Sequence, residues 1–197
     1  MRSLVLMDDF ERHKRAASPQ PIQSFLILIL KSQLQQLQTE NRSNSTPRPT
    51  SLKMSYSIKV RVFQTNPNAF FHIVEKGCWH YGNGCQWSEQ NGVLTLNMGQ
   101  SGTSGMLRFK TEENKEAFFV VLGVHNYKPW VDIVTGLGED ITCVKALPEY
   151  YGDASDRTKA REAQRAEHKI QNIDRRIINT KYKVKEGNNL ELDIIIG

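Results

Sequence analysis

The sequence predicts a mostly β protein, a β-sandwich with a short helical pair inserted late in the chain. Three observations predict it. Apolar and polar residues alternate with period two in several short stretches, as in strands with one buried face. Turn signals fall between them at spacings of about ten residues, the mark of a sandwich or barrel. One late segment, Asp156 to His168, is instead rich in Ala, Arg, Glu, Lys and Gln, which are good helix formers.

The elements follow in order. Tyr56, Ile58, Val60 and Val62 alternate with Ser57, Lys59 and Arg61, giving a first strand that Asn66-Pro67-Asn68 ends as a turn. Phe70 to Glu75 forms a second strand. Gly77 to Trp87 is aromatic and glycine-punctuated, and its Gly82-Asn83-Gly84 reads as a hairpin-type turn. Asn91-Gly92 is another such turn, followed by Leu94, Leu96 and Met98 alternating with polar partners. The loop Gly99–Gly105 leads into Met106–Lys110, and Glu112 to Lys115 turns the chain into the apolar run Ala117–Val124, a buried strand. At Gly138 the pattern changes. Glu139 to Glu149 shows no clean alternation, and the loop Gly152–Ser155 precedes the helix-forming segment, with Asp156 as its expected cap. Period two returns in Ile178, Thr180, Tyr182 and Val184. After the Gly187-Asn188-Asn189 turn, Leu190, Leu192, Ile194 and Ile196 close the chain.

Composition divides the 197 residues into a leader, residues 1–53, and a domain, residues 54–197. Every glycine, tryptophan, tyrosine and cysteine lies at or after Met54, so the leader has little with which to bury a core and reads as disordered or non-native. Charge divides the same way: eight Lys/Arg against four Asp/Glu before Met54, and 18 against 17 from Met54 onward. A near-neutral domain lacks the basic field of a nucleic-acid binder. The leader's apolar run Phe25–Leu30 has six residues, far below the ~20 of a spanning helix. Lys31-Ser32-Gln33 stands where a signal peptide needs its small-residue cleavage site. Three cysteines, at 78, 85 and 143, do not suggest a disulfide framework, and Cys78 and Cys85 are expected as reduced thiols.

Several chemistries fail on spacing. Gly99–Gly105 is followed by Met106-Leu107 and a strand, where a phosphate loop requires Lys and a helix. Ser101 and Ser104 lack the Gly-x-Ser-x-Gly frame of a nucleophile elbow, so neither pairs with His125 and Asp132 as a triad on pattern. Cys78 and Cys85 are separated by six residues, wider than paired zinc ligands usually stand. The polar residues suit a sugar better. Ser101, Asn83 and Asn126 offer donors and acceptors, Asp132 offers two acceptor oxygens, and Tyr127 offers a face for the apolar side of a ring.

From Met54 onward the chain resembles the fungal fruit-body lectin family. The stretches that carry the resemblance are Tyr56-Ser57-Ile58, Arg61 to Thr65, Ser101 to Gly105, Leu107-Arg108-Phe109 and Gly123 to Lys128. It continues through Trp130, Asp132 to Thr135, Glu149-Tyr150-Tyr151, Ala160-Arg161-Glu162 and Glu186 to Leu190, all in collinear order. The resemblance implies an actinoporin-like sandwich of two sheets connected by a helix-loop-helix. It also implies a cytoplasmic homotetramer that binds glycans and glycoproteins without catalysis or cofactor, touches membranes only through glycans, and acts in defence against fungivores. One site would take Galβ1-3GalNAc (the T-antigen disaccharide) or GalNAc through Gly82, Ser101, Gly102, His125 and Asn126. A second would take terminal GlcNAc through Asp132, Ile133, Thr135 and Arg157, with His168 where the family carries Tyr on the second helix. The alignment there crosses a one-residue insertion within Asp153–Asp156, which leaves Arg161 as the alternative to Arg157. Gly82 and Cys85 replace an Ala and a Gly near the first site, and Pro129 and Val131 replace an Arg and a Cys beside the second. The fold analogy alone raises an alternative, a membrane-perforating protein, for which Phe25–Leu37 would be the amphipathic segment.

Overall fold

The computed structural model describes residues 55–81, 84–113, 115–138, 140–153 and 155–197. The expected leader, its boundary at Met54 and the site residue Gly82 lie outside the described residues.

Ten strands among the described residues form two sheets. One holds β1 (Tyr56–Gln64), β3 (Cys85–Gln90), β4 (Val93–Met98), β8 (Glu167–Gln171), β9 (Ile177–Val184) and β10 (Asn189–Ile196), in the order β3-β4-β1-β10-β9-β8. The other holds β2 (Phe71–Trp79), β5 (Ser104–Thr111), β6 (Ala117–His125) and β7 (Lys128–Thr135), in the order β2-β5-β6-β7. Neighbours run antiparallel except β1 and β10, which lie parallel with Ile58 opposite Leu190. The predicted sandwich is therefore the observed one. Alternation in β1 and β10 buries Ile58, Val60, Leu190, Leu192 and Ile194 between the sheets, against Leu107, Phe109, Phe118, Val120 and Leu122 from the opposing sheet.

The unbroken apolar run of β6 has a separate cause. Its other face is covered too, by the helical insertion: α1 (Cys143–Ala146), a 3-10 turn (Leu147–Tyr150) and α2 (Asp156–Glu162). Phe119, Val121, Trp130 and Met106 pack there against Cys143, Ala146, Leu147 and Tyr150 in a second core. A strand covered on both faces loses its polar alternation. At the far end Glu116 accepts from Arg176 through Nε and Nη2, both at 2.7 Å, tying the start of β6 to the β8–β9 connection.

Four expectations are corrected. Cys78 and Cys85 are bonded to each other, not free thiols. They sit on β2 and β3 with Cα atoms 5.9 Å apart, inside the range a disulfide spans, so the bond links one sheet to the other. That sheet change also means that β2 and β3 are not the two arms of a hairpin: β2 pairs with β5, while β3 pairs with β4, and the turn expected at Gly82-Asn83 lies outside the described residues. The helix expected to reach His168 ends at Glu162. Gln164 takes φ 49°, and Glu167–Gln171 pairs with β9 as a strand, so tertiary pairing overrides local helix propensity. Finally the helix cap is Ser155, whose Oγ accepts from the Thr158 amide at 3.0 Å; Asp156 is already in the first turn.

Candidate functional site

The first group forms where the β6–β7 hairpin meets the loop before β5. His125-Asn126-Tyr127-Lys128 makes a two-residue turn with Asn126 at φ 47° and Tyr127 at φ 65°. Both are left-handed, as a tight hairpin requires. Asn adopts that conformation readily; a bulky Tyr does not, and such strain costs on the order of 1–3 kcal/mol. Ser101 Oγ holds the turn by accepting from the Tyr127 amide at 2.9 Å. One residue further on, the Gly102 amide donates to the Val124 carbonyl at 2.7 Å, and Val124 donates back to Thr103 at 3.1 Å. The loop can lie this close because Gly123 has no side chain: a Cβ there would stand 2.5 Å from the Thr103 oxygen. Gly102, at φ 94°, is held against the Tyr81 ring, 2.8 Å from where its own Cβ would be.

Ser101, Gly102, His125 and Asn126 are thus brought together, flanked by Tyr81 (55% exposed) and Tyr127 (72% exposed), whose rings are open to a ligand. Tyr81 and Gly84 flank Gly82, which is itself outside the described residues. Burial, with the Arg161 charge adding to it and Glu162 opposing, pushes the His125 imidazole below its ordinary range. The ring is neutral at pH 7, and its Nε2 accepts from Asn126 Nδ2 at 3.3 Å. Behind it, Gln164 Nε2 donates to the His125 carbonyl at 2.6 Å. Arg161 lies 4.8 Å over the Tyr151 ring, which stacks on Trp79 at 4.2 Å and meets Ser104 Oγ through its hydroxyl at 2.7 Å.

The second group centres on Asp132. Its side chain points to the helical side of β7, where Tyr150 Oη donates to Oδ2 at 2.7 Å in a buried contact. His168 Nδ1 lies 3.0 Å from Oδ1 and 3.1 Å from the Ile133 amide. One ring nitrogen cannot donate to the first and accept from the second. The charged carboxylate decides it: burial pushes Asp132 up, but bonds from His168, Tyr150 and the Ile133 amide together hold it below the ordinary carboxylate range. Nδ1 therefore carries the proton and donates to Asp132. Burial and the Asp132 charge push the Tyr150 hydroxyl far upward, so it stays a donor.

Arg157 joins this group and Arg161 does not. The Arg157 guanidinium sits 5.8 Å over the Tyr150 ring, its Nε donates to Glu149 at 3.0 Å, and its buried Nη1 has no hydrogen-bond partner among the described residues. His168 reaches Asp132 from strand β8, not from a helix. Ile133 contributes its backbone, because its side chain faces the core between the sheets. By strand alternation Thr135 shares the Ile133 face of β7 and not the Asp132 face. Sequence reasoning missed Trp79, Tyr81, Tyr150, Tyr151 and Gln164 as partners. The signal for two of them was present in Glu149-Tyr150-Tyr151, one of the family-like stretches.

Neutral donors and acceptors beside open aromatic rings, as in the first group, can recognise a hydroxylated ring. Comparison with known proteins points the same way. The sequence model of the fungal fruit body lectin family matches residues 54–194. Boletus edulis lectin is 49% identical over 145 residues, spanning 73% of this chain and 100% of that one. The crystal structure of the wild-type Xerocomus chrysenteron lectin XCL superposes with a TM-score of 0.70 at 47% identity, covering 73% of this chain and 100% of that one. A mutated form of XCL gives 0.70 at 48% identity, covering 73% and 99%.

Proposed function

The chain belongs to the fungal fruit body lectin family, and from that membership we propose that it is a non-catalytic, carbohydrate-binding lectin with two sugar sites per subunit. The observation that carries this reading is the convergence of Ser101, Gly102, His125 and Asn126 beside two exposed tyrosines. We assign to this group the Galβ1-3GalNAc or GalNAc specificity. A galactose ring would lay its apolar face on Tyr81 or Tyr127 and place its hydroxyls against fixed amide, hydroxyl and imidazole groups. A buried polar group left unpaired costs ~1–3 kcal/mol, which is how such a site tells an axial hydroxyl from an equatorial one. We assign terminal GlcNAc to the Asp132 group, where Nη1 of Arg157, without a hydrogen-bond partner among the described residues, is a donor for a ligand.

The proposal extends to a homotetramer in the cytoplasm that binds glycans on animals feeding on the tissue, since linked weak sites gain avidity on a glycan-bearing surface. A glycan array tests the site assignment. Ser101→Ala and Asn126→Ala should each abolish or sharply weaken Galβ1-3GalNAc binding and leave GlcNAc binding in place. Unaltered Galβ1-3GalNAc binding by both variants would remove the assignment.

A further inference from the structure

A cavity of about 580 Å³ lies beyond both groups, at the end of the six-stranded sheet nearest the first one. Its floor is a row of polar side chains in cross-strand register. Gln86 on β3 stands opposite Asn97 on β4, Asn97 opposite Ser57 on β1, and Ser57 opposite Asn189 on β10. Four adjacent strands give the row a length of about 14 Å, room for roughly three sugar rings end to end. Ser57 Oγ donates to Asn189 Oδ1 at 2.9 Å, which fixes one end of the row. Gln86 and Asn97 are exposed, so their amides face the cavity with donors and acceptors to spare. No Asp, Glu, Lys or Arg stands among its described lining residues, so the cavity suits a neutral ligand rich in hydroxyls.

The cavity and the first group share a wall. His80 and Gly84 line the cavity, while Tyr81, between them in sequence, turns its ring onto Gly102 of the first group. The Gly99 amide donates to Gly84 at 2.9 Å and Thr103 Oγ1 to Tyr81 at 3.2 Å, fastening that wall to the loop that carries Ser101.

We propose that this cavity is an extension subsite: it takes the neutral sugar residues of a glycan that continues beyond the disaccharide held by the first group. The inference rests on the assignment of Galβ1-3GalNAc to that group. Hydrogen bonds from one or two amides correspond to a gain in affinity of about tenfold.

The test is calorimetric titration of the intact protein with three sugars: the methyl glycoside of Galβ1-3GalNAc, and neutral tetrasaccharides that extend it from the galactose or from the GalNAc end. One extended sugar should bind about tenfold more tightly than the disaccharide. The double variant Gln86→Ala/Asn97→Ala, at two exposed positions, should erase that gain and leave disaccharide affinity unchanged. Circular dichroism confirms that the variant is folded. Equal affinity for all three sugars, or a gain that survives the double variant, would overturn the subsite alone. A disaccharide that fails to bind the wild-type protein at all would overturn the first-group assignment, and this inference with it.

Discussion

Gly102→Ala separates two demands made on one residue. The backbone there has φ 94°, which an L side chain adopts only under strain, and the added Cβ would lie 2.8 Å from Cδ1 and 3.0 Å from Cε1 of Tyr81. The steric part is soft, because Tyr81 is exposed and can swing outward. The backbone part is not, since the Gly102 amide is bonded to Val124 and fixes φ. The left-handed penalty of about 1–2 kcal/mol for a residue with a Cβ therefore sets the loss of stability. At roughly 2–4 °C per kcal/mol for a domain near this size, the melting temperature should fall by about 2–8 °C. Binding should suffer more, because the displaced Tyr81 ring is a wall of the first group: we expect at least a tenfold loss for Galβ1-3GalNAc, about 1.4 kcal/mol, with GlcNAc affinity unchanged. Thermal denaturation and titration calorimetry on the same preparation read both. A variant with the lower melting temperature but wild-type Galβ1-3GalNAc affinity would refute the role given to the Tyr81 wall.

Three other outcomes are expected. Tyr150→Phe removes a buried donor from Asp132 and should cost about 1–3 kcal/mol of stability, weakening GlcNAc while sparing Galβ1-3GalNAc; equal losses at both sugars would contradict the division into two groups. The Asp132 carboxyl is held below its ordinary value of 3.8, so the stability it contributes is present above that value and is lost as the pH falls through its lower folded value. Asp132→Asn should accordingly flatten the acid limb of stability below about pH 4, measured by urea unfolding across that range. The Cys78–Cys85 bond closes a short loop, and Cys85→Ser should lower stability by about 2–3 kcal/mol; alkylation of both thiols in the unreduced native protein would show that the bond is not formed.

What was legible in the sequence is what a local period encodes. The alternation of Tyr56, Ile58, Val60 and Val62 gives β1 directly, and Asn91-Gly92 gives the β3–β4 hairpin, because both signals are complete within a few residues. The parallel pairing of β1 with β10 has no such signal, since its partners are more than a hundred residues apart in sequence. The same holds for the disulfide. Whether Cys78 and Cys85 can bond depends on the distance between two sheets, which their spacing along the chain does not state. Glu167–Gln171 was misread for a related reason: Glu, Lys and Gln favour a helix, but the backbone of that segment finds its partners in β9. Family resemblance proposed Arg157 while its alignment left Arg161 open; the structure sets Arg157 over the ring of Tyr150, the donor to Asp132, and Arg161 over that of Tyr151.

The helical insertion explains how the two groups proposed to bind sugar fit on one small sandwich. Tyr150 and Tyr151 are consecutive, at the end of the 3-10 turn and just past it, so their side chains diverge. Tyr150 runs inward to the Asp132 carboxylate, and Tyr151 runs to Ser104 beneath the Gly99–Gly105 loop. Helix α2 repeats the division four residues at a time, with Arg157 over Tyr150 and Arg161 over Tyr151. Each guanidinium thus covers one tyrosine, and each tyrosine braces one strand of the four-stranded sheet, Tyr150 the middle of β7 and Tyr151 the start of β5. The insertion is a shared back wall. Moving it would disturb both groups, whereas a change confined to Tyr150 or to Tyr151 should disturb one. The single step from Tyr150 to Tyr151 is therefore where the supports of the two groups part, a closer division than the six-residue interval from Asn126 to Asp132 along the chain.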